Sequence, residues 1–321
     1  MPDRTRVFVA CRLPQEAQAR VSARFEASFN ELGRSLTQNE IVTQCADAQA
    51  LIVTATDRMD ATTIGRLPAG LRVLATYSVG HDHIDLAAAQ ARGLAVLSTP
   101  DVLSESCADV AMLLMLGAAR RATEGLALVR SGAWTGWTPL QLLGREMNGH
   151  RLGVLGMGRI GRAVATRARG FAMPIHYHNR SRLPLSLEAG ARFHASLEDL
   201  LPNSDFLCVA CPASPETRHL LNAARIALLP RGAVVANISR GDVINDADLV
   251  TALKIGHVAA AGLDVFENEP DIHPAYRDLP NVFALPHTGS ATMQTRIAMA
   301  ELLSASIDAL LTGEAPTNRI A

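Results

Sequence analysis

Short hydrophobic runs alternate with amphipathic segments along the first part of the chain. The runs are rich in valine, leucine and alanine, have the length of buried strands, and occupy residues 6–11, 51–56, 71–80 and 94–99. Segments 15–28 and 81–93 have helical spacing, and Gly93 supplies a helix stop. Because strands that alternate with helices form parallel sheets, residues 1–98 are predicted to form an α/β unit of their own.

The same alternation continues in the second part of the chain. Residues 151–179 have the pattern of a strand, a glycine turn, a helix and a second strand, which is a βαβ unit. One long helix is predicted from Val102 to about Arg130 as a connection between domains. Shorter helices are predicted at 246–255 and 291–311, and four more strands at 206–211, 233–239, 259–265 and 282–286. The pattern therefore predicts a second parallel sheet.

The sequence GMGRIG at 156–161 lies between a predicted strand and a predicted helix. In this context the first glycine permits a tight turn, the second lets a pyrophosphate approach the backbone, and the third lets the helix pack on the sheet. The free N–H groups at the helix start attract the negative charge. A dinucleotide site is predicted, with the turn residues Gly156, Gly158, Arg159, Ile160 and Gly161.

The second strand of the βαβ unit ends in Asn179, Arg180, Ser181 and Arg182. Proteins of this type that prefer NAD usually place a carboxylate there to hold the ribose 2′-hydroxyl. Here two guanidinium groups and a hydroxyl are available to bind a 2′-phosphate instead. We expect these four residues to bind the coenzyme, with NADP(H) preferred. In the alternative interpretation both arginines are solvated and NAD(H) is used as well.

Composition narrows the class of protein. The chain has 321 residues, enough for about two domains, and a formal net charge of −1, which argues against non-specific nucleic-acid binding. No hydrophobic run reaches the about 18 residues of a membrane span, and the N-terminus lacks the pattern of a signal peptide. The five cysteines form no zinc motif, since only one C-x2-C occurs. We therefore expect a cytoplasmic protein that binds neither nucleic acid nor membrane.

An arginine, a carboxylate and a histidine follow predicted strands in the half that contains the glycine turn. Arg240 and His287 come directly after strands, and Glu269 follows a third, with Glu267 as a rival. Ligands of open parallel sheets bind at the carboxyl ends of strands. There, Arg240 can bind the carboxylate and carbonyl of a 2-oxo acid, and His287 can donate a proton while Glu269 steadies it. Alone, each would more often be structural; together they predict a catalytic set.

The chain resembles the D-isomer-specific 2-hydroxyacid dehydrogenase family, and within it most closely the glyoxylate/hydroxypyruvate reductases. The resemblance rests on YSVGHDHID (77–85), GVLGMGRIG (153–161), NISRGDVIN (237–245), AAGLDVFENEP (260–270) and PHTGSAT (286–292). It implies α/β architecture with two Rossmann-like domains. Residues 1–98 and 288–321 would form a discontinuous, flavodoxin-like substrate domain. Residues 99–287 would form a doubly wound NAD(P)-binding domain.

The resemblance also implies roles for individual residues. Arg240, Glu269 and His287 would be catalytic, and backbone N–H groups of Val79 and Gly80 would bind the substrate carboxylate with Arg240 and His287. Members are commonly dimers, so a homodimer is expected, and in the reductases a tryptophan-bearing loop reaches the partner's active site. The further residues that would line the coenzyme site are Cys211, Pro212, Thr217, Ile238, Ser239, Arg240, Asp264, His287 and Gly289.

Several alternatives remain open at the sequence level. The enzyme could act on a larger 2-oxo acid or on phosphoglycerate, although the chain ends soon after the final predicted helix, which disfavours an added regulatory domain. A corepressor that senses a dinucleotide shares this fold. His81 and His83 form a weak metal motif, and no metal is expected. Trp134 and Trp137 lie in a predicted loop and fit an interface or a covering of the core equally well.

Overall fold

A computed structural model describes residues 4–321 and divides them into two compact units. The chain passes from the first unit to the second between residues 103 and 104, and returns between residues 289 and 290. Each unit contains one sheet, and every strand pair in both sheets is parallel. The predicted fold class, two parallel-sheet α/β domains, is confirmed.

The first unit is built on a five-stranded sheet in the order β2-β1-β3-β4-β5, the flavodoxin-like order. The central strands β3 and β4 are buried at every position, because helices cover both faces of a parallel sheet. The strands are β1 Arg6–Val9, β2 Glu26–Phe29, β3 Ala50–Val53, β4 Val73–Thr76 and β5 Ala95–Leu97.

Five helices surround this sheet, and side chains at the N-termini of four of them satisfy free backbone N–H groups. Thr37 and Glu40 form a reciprocal capping box, while Asp60, Asp85 and Thr292 each accept a backbone N–H at a helix start. The helices are α1 Gln15–Arg24, α2 Gln38–Gln44, α3 Ala61–Arg66, α4 Leu86–Ala91 and, from the end of the chain, α13 Met293–Thr312. The last packs along α1, so the C-terminal segment belongs to the first unit.

The second unit is built on a seven-stranded sheet in the order β12-β11-β10-β9-β6-β7-β8. Counted from β6, this is the Rossmann order 3-2-1-4-5-6 with one further strand at the edge. The strands are β6 Leu152–Leu155, β7 Ile175–His178, β8 Arg192–His194, β9 Phe206–Val209, β10 Ala233–Asn237, β11 Val258–Leu263 and β12 Val282–Ala284.

Helices of the second unit enclose two hydrophobic cores, one on each face of the sheet. Close approach of a helix to the sheet requires glycine at position 262, where a Cβ would lie 2.4 Å from the carbonyl oxygen of Leu114. The helices are α5 Ser104–Ala119, α6 Ala122–Arg130, α7 Arg159–Arg169, α8 Leu185–Glu188, α9 Leu197–Leu200, α10 Ala223–Ile226, α11 Asp246–Lys254 and α12 Ala275–Asp278, with 3-10 turns at Leu201–Asn203 and Gly241–Val243.

Two predictions of local structure are wrong, and one strand was missed. The single helix from Val102 to Arg130 is two helices, α5 and α6, because Arg121 adopts the left-handed conformation with φ of 55° and breaks the backbone ladder. The predicted helix 15–28 ends at Arg24, and the next residues form strand β2. Strand β8 lacks a hydrophobic run and was not predicted. Among residues 4–321, no helix is both long and apolar enough to span a membrane.

Candidate active site

The glycine turn between β6 and α7 has the geometry of a phosphate cradle. Gly156 has φ of +97°, and a Cβ there would lie 2.5 Å from the backbone nitrogen of Cys211. A Cβ at Gly161 would lie 2.2 Å from the Gly156 carbonyl oxygen, so only glycine lets the helix approach the turn. At Gly158, which precedes the first residue of α7, a Cβ would meet open space. The cradle therefore fits a pyrophosphate at the helix N-terminus.

Asn179 at the end of β7 fixes this turn. Its side-chain oxygen Oδ1 accepts a hydrogen bond of 2.6 Å from the Met157 N–H. The residue was predicted to contact the coenzyme, and that role stays a prediction. Its hydrogen bond to Met157 ties the end of β7 to the glycine turn.

The cations after β7 differ in their surroundings. Arg180 and Ser181 are exposed. Arg182 forms a two-point ion pair with Glu188, at 2.8 Å from Nε to Oε1 and 3.0 Å from Nη2 to Oε2. The Glu188 side chain is only 4% exposed and also accepts the Tyr177 hydroxyl at 2.5 Å. These hydrogen bonds, from Arg182 first and from Tyr177, lower the pKa of Glu188.

Arg182 is therefore ion-paired, and the binding of a 2′-phosphate by the two guanidinium groups stays a prediction. A buried carboxylate, which was not predicted from the sequence, already neutralises Arg182. Arg180, Ser181 and Arg182 are all exposed, but the guanidinium of Arg182 offers a ligand only the edge that does not face Glu188.

The loop after β9 lies directly against the glycine turn. Cys211 is buried against Gly156, and burial raises the pKa of its thiol to about 11, so the sulfur is neutral. Thr217 donates a hydrogen bond to the Pro212 carbonyl at 2.9 Å and accepts one from the Ser214 N–H at 2.7 Å. The three residues predicted here thus form a closed turn beside the cradle.

Arg240 follows β10 on a turn that Asn237 organises. The Asn237 amide accepts hydrogen bonds from the Ser239 N–H and hydroxyl at 3.0 Å, and donates to the Arg240 carbonyl at 2.9 Å. Ile238 is buried, and the Arg240 guanidinium donates to the Ser239 carbonyl at 2.8 Å. Asn237, which is 1% exposed, was missed from the sequence; a polar residue at the end of the hydrophobic run AVVAN is the signal that could have revealed it.

His287 and Glu269 form a hydrogen-bonded pair. The distance from His287 Nδ1 to Glu269 Oε2 is 2.8 Å, and Glu269 Oε1 accepts the Phe266 N–H at 2.8 Å. Burial alone would raise the pKa of Glu269, but the hydrogen bond and charge of His287, with help from the Phe266 N–H and Arg240, lower it below its usual value. The carboxylate thus stays charged and orients the ring, which leaves Nε2 available to a ligand.

Glu267, the rival candidate, has a different partner. Its Oε1 lies 2.5 Å from His219 Nε2, and its Oε2 accepts the Asp246 N–H at 3.2 Å. Glu267 and Glu269 therefore each pair with a different histidine, and the partner of His287 is Glu269.

Asp264 fixes the segment that carries His287. Its carboxylate accepts the N–H groups of Thr288 at 2.7 Å and Gly289 at 2.8 Å, and its carbonyl accepts the His287 N–H at 2.8 Å. Burial raises the pKa of this carboxyl group, while those N–H donors oppose the rise. Gly289 is also held by the Ser106 hydroxyl, which donates to its carbonyl at 2.8 Å. The contact of Asp264 with a nicotinamide stays a prediction.

In the first unit, Val79 and Gly80 follow β4 at the carboxyl edge of the five-stranded sheet. Both are half-buried, and the Ser78 hydroxyl donates to the Gly80 carbonyl at 2.6 Å, which closes the turn. Their proposed role in binding a substrate carboxylate stays a prediction.

Comparison with known proteins identifies the class. Residues 112–289 match the model of the family "D-isomer specific 2-hydroxyacid dehydrogenase, NAD binding domain". The chain is 41% identical to a glycerate dehydrogenase from Hyphomicrobium methylovorum over 96% of both chains. It is 40% identical to a glyoxylate reductase from Thermococcus kodakarensis, over 98% of this chain and 95% of the relative.

A solved structure agrees with these matches. The NADPH-dependent glyoxylate/hydroxypyruvate reductase from Sinorhizobium meliloti, in complex with NADP and malonate, superposes with a TM-score of 0.88 at 32% identity, covering 99% of this chain and 97% of that one. The fold and the glycine turn define an NAD(P)-binding α/β protein. The chain belongs to the D-isomer specific 2-hydroxyacid dehydrogenase family, whose named relatives are dehydrogenases and reductases.

Proposed function

We propose that this protein reduces glyoxylate and hydroxypyruvate to glycolate and D-glycerate, with NADPH as the preferred hydride donor. The observation that carries the proposal is the Glu269–His287 pair, which lies in the same parallel unit as Arg240 and the glycine turn. Reduction of a 2-oxo acid needs a cation for the carboxylate and a proton for the forming alkoxide. Arg240 and His287 supply these two groups.

The chain's own residues would do the following. The Arg240 guanidinium binds the substrate carboxylate and polarises the carbonyl at C2. A bound nicotinamide supplies the hydride that C2 receives. His287 transfers its Nε2 proton to the carbonyl oxygen, so that a hydroxyl forms and the imidazole is left neutral. Glu269, held by the Phe266 N–H, keeps the imidazole oriented through Nδ1 and stabilises its protonated form before transfer.

The remaining assignments belong to the same proposal. Residues 1–98 with 288–321 serve as the substrate domain, where the N–H groups of Val79 and Gly80 bind the carboxylate. Residues 99–287 bind the coenzyme through the glycine turn, the loop at 211–217, Ile238, Ser239 and Asp264, and Gly289 just after this range completes the site. Five free thiols accord with a reducing compartment, and we place the protein in the cytoplasm.

NADP(H) preference is supported by the absence of a carboxylate at position 179 and by the exposed Arg180 beside Ser181. The relative from Sinorhizobium meliloti is described as NADPH-dependent and as bound to NADP. The pairing of Arg182 with Glu188 weakens the case, because one of the two predicted cations is already compensated. Michaelis constants for NADPH and NADH with the same keto acid test the preference; a lower constant for NADH contradicts it.

A homodimer is supported by an apolar surface on α6 and the loop that follows it. Trp137 is 79% exposed, Leu140 78% and Val129 63%, and Trp134 is also exposed. Side chains of this size outside a core usually mark an interface. Light scattering should give twice the chain mass, and Trp137→Ala combined with Leu140→Ser should shift the protein towards the monomer. A monomeric wild-type protein contradicts this part of the proposal.

The nearest rival is a related enzyme that acts on a larger 2-oxo acid or on phosphoglycerate. The glycerate dehydrogenase from Hyphomicrobium methylovorum shows that relatives of similar identity carry different substrate names. A panel of glyoxylate, hydroxypyruvate, pyruvate, phenylpyruvate and 3-phosphohydroxypyruvate, each with NADPH, ranks the candidates by kcat/KM. A dinucleotide-sensing binding protein would bind NADPH and turn over none of the five.

A further inference from the structure

A second imidazole–carboxylate pair lies beside the proposed catalytic pair. His219 Nε2 is 2.5 Å from Glu267 Oε1, and the side chains are 33% and 16% exposed. His219 adopts the left-handed conformation with φ of 48°, which is uncommon for a residue other than glycine. The mechanism proposed above uses neither side chain.

The neighbours of His219 fix its tautomer. The Asn245 side-chain nitrogen lies 3.4 Å from His219 Nδ1, and an amide N–H can only donate. Nδ1 is then the acceptor of the ring, and Nε2 bears the proton that is donated to Glu267. In this hydrogen bond the imidazole is therefore the donor and the carboxylate is the acceptor.

The pair joins three segments at the carboxyl edge of the sheet. Glu267 follows β11, and its Oε2 accepts the N–H of Asp246 at the start of α11. His219 belongs to the loop after β9, and its backbone N–H donates to the Asp242 carbonyl at 2.6 Å. Both partners therefore hold the segment 241–246, which begins directly after Arg240.

The backbone of this segment is in direct contact with the Glu267 segment. A Cβ at Gly241 would lie 1.8 Å from the carbonyl carbon of Phe266 and 2.2 Å from the nitrogen of Glu267. Phe266 also donates its N–H to Glu269, the partner of His287. A small movement of Glu267 would therefore change the position of Arg240 relative to Glu269.

We propose that Glu267 and His219 are a positioning pair that sets the separation between Arg240 and the Glu269–His287 pair. The inference rests on the proposed function, because its readout is turnover of a 2-oxo acid. Neither residue touches the reacting atoms; both act through the Arg240 turn. Misplacement by about 1 Å of a group that orients substrate lowers rates by about a hundredfold, so loss of one tie is expected to cost about tenfold.

The test is a double-mutant cycle with His219→Ala, Glu267→Gln and the double variant. Each single variant is expected to lower kcat for glyoxylate about tenfold, and the double variant to be no slower than the slower single one, because either change breaks the same tie. His219→Gln keeps a hydrogen-bond donor near the position of Nε2. On a logarithmic scale, its kcat should lie about midway between those of His219→Ala and the wild-type protein. Affinity for NADPH, followed by fluorescence, should change less than about twofold.

The matched control is Arg218→Gln. Arg218 forms an exposed ion pair of 3.2 Å with Asp242 within the same segment, and exposed pairs contribute little. Its kcat should equal that of the wild-type protein. Nitrogen chemical shifts of the imidazole should also show His219 as the Nε2–H tautomer.

Different results separate the two proposals. A wild-type protein that binds NADPH but turns over no 2-oxo acid contradicts the proposed function. An active wild-type protein with unchanged kcat in the single variants, or with losses that multiply in the double variant, overturns the positioning pair. If Glu267→Gln does not fold, unchanged turnover in His219→Ala overturns it equally.

Discussion

His287 Nδ1 lies 2.8 Å from Glu269 Oε2, and the two side chains follow the neighbouring strands β12 and β11. The strand pairing places Leu263 opposite Ala284, and the His287 N–H extends the contact to the Asp264 carbonyl. Because carboxyl ends of parallel strands meet at one edge, the sheet itself brings the imidazole and the carboxylate together. The proposed acid and its partner thus depend on strand register.

Replacement of the imidazole should abolish turnover and leave coenzyme binding intact. His287→Ala is expected to lower kcat by about 10²–10⁴, because the variant lacks the proposed proton donor to the carbonyl oxygen. Steady-state kinetics and fluorescence titration with NADPH measure the two effects. His150→Ala is a control before β6, at the opposite end of the sheet, and should keep its kcat. Retained activity in His287→Ala excludes this residue as the acid.

Arg240→Lys should be a poor enzyme even though the charge is kept. An ammonium group cannot make the planar two-point contact of a guanidinium with a carboxylate. We expect kcat/KM for glyoxylate to fall by about 10²–10³, the cost of removing one stabilising donor from the reacting oxygen. If KM and kcat barely change, Arg240 is not the carboxylate clamp.

Glu269→Gln should change the pH dependence of the reaction. The pKa of Glu269 is lowered in the folded protein, so its contribution to stability is present above its ordinary value of 4.5 and is lost as pH falls. The wild-type protein should therefore show no loss of stability from Glu269 at neutral pH. In the variant the imidazolium loses its carboxylate partner. The pH at which kcat/KM falls on the alkaline side should therefore be lower by about one pH unit. An unchanged pH for this fall would remove Glu269 from the mechanism.

The two arginines after β7 should respond differently to replacement. Arg180→Gln is expected to weaken NADPH binding about tenfold and to leave NADH binding unchanged, because the guanidinium faces solvent and is free to meet a 2′-phosphate. Arg182→Gln is expected to lower Tm, because it leaves the buried Glu188 without its cation. Calorimetric binding and thermal unfolding measure the two effects. Equal losses of both coenzymes in Arg180→Gln contradict the first expectation.

Asp246→Asn should stabilise the protein at high pH only. Burial raises the pKa of Asp246 to about 6, the Tyr276 hydroxyl opposes the rise and the Glu267 charge adds to it. The folded state thus binds a proton more tightly than the unfolded chain, and stability is lost as pH rises from about 4 to about 6. The difference between the ordinary pKa of 3.8 and about 6 corresponds to about 3 kcal/mol. Urea unfolding should show that the free energy of unfolding of the variant exceeds that of the wild type by close to this figure at pH 8, above the raised pKa of about 6, and by nothing at pH 4, below it. A gain in the free energy of unfolding at both pH values refutes the assignment.

The parts of the fold that could be predicted from sequence are those set by local pattern. The glycine turn at 156–161 is recognisable from its spacing between a strand and a helix, and Gly156 and Gly161 have no room for a Cβ. Most strands are visible as β-branched and aliphatic runs, whereas β2 and β8 are not. The same runs also showed that Arg240, Glu269 and His287 each follow a strand in the sequence. Their grouping in one unit was therefore accessible before the structure.

The parts that could not be predicted depend on tertiary contacts. Strand β2 carries alternating exposed and half-buried residues at a sheet edge, so it has no hydrophobic run to reveal it. The ion pair between Arg182 and Glu188 joins residues that a short helix folds back on each other, which no spacing rule indicates. The choice between Glu267 and Glu269 depends on which side of a turn each faces. Asp264 and Asn237 lie in recognisable motifs, but their hydrogen bonds to the backbone of neighbouring turns become visible only in the structure.

The central claim is tested most directly by mixing the purified protein with NADPH and glyoxylate and following the near-ultraviolet absorbance of the reduced nicotinamide. The account predicts a decline that needs both compounds, yields glycolate in equal amount, and is lost in His287→Ala. An NADPH-binding wild-type protein that consumes no reduced coenzyme, NADPH or NADH, with any 2-oxo acid of the panel would contradict it.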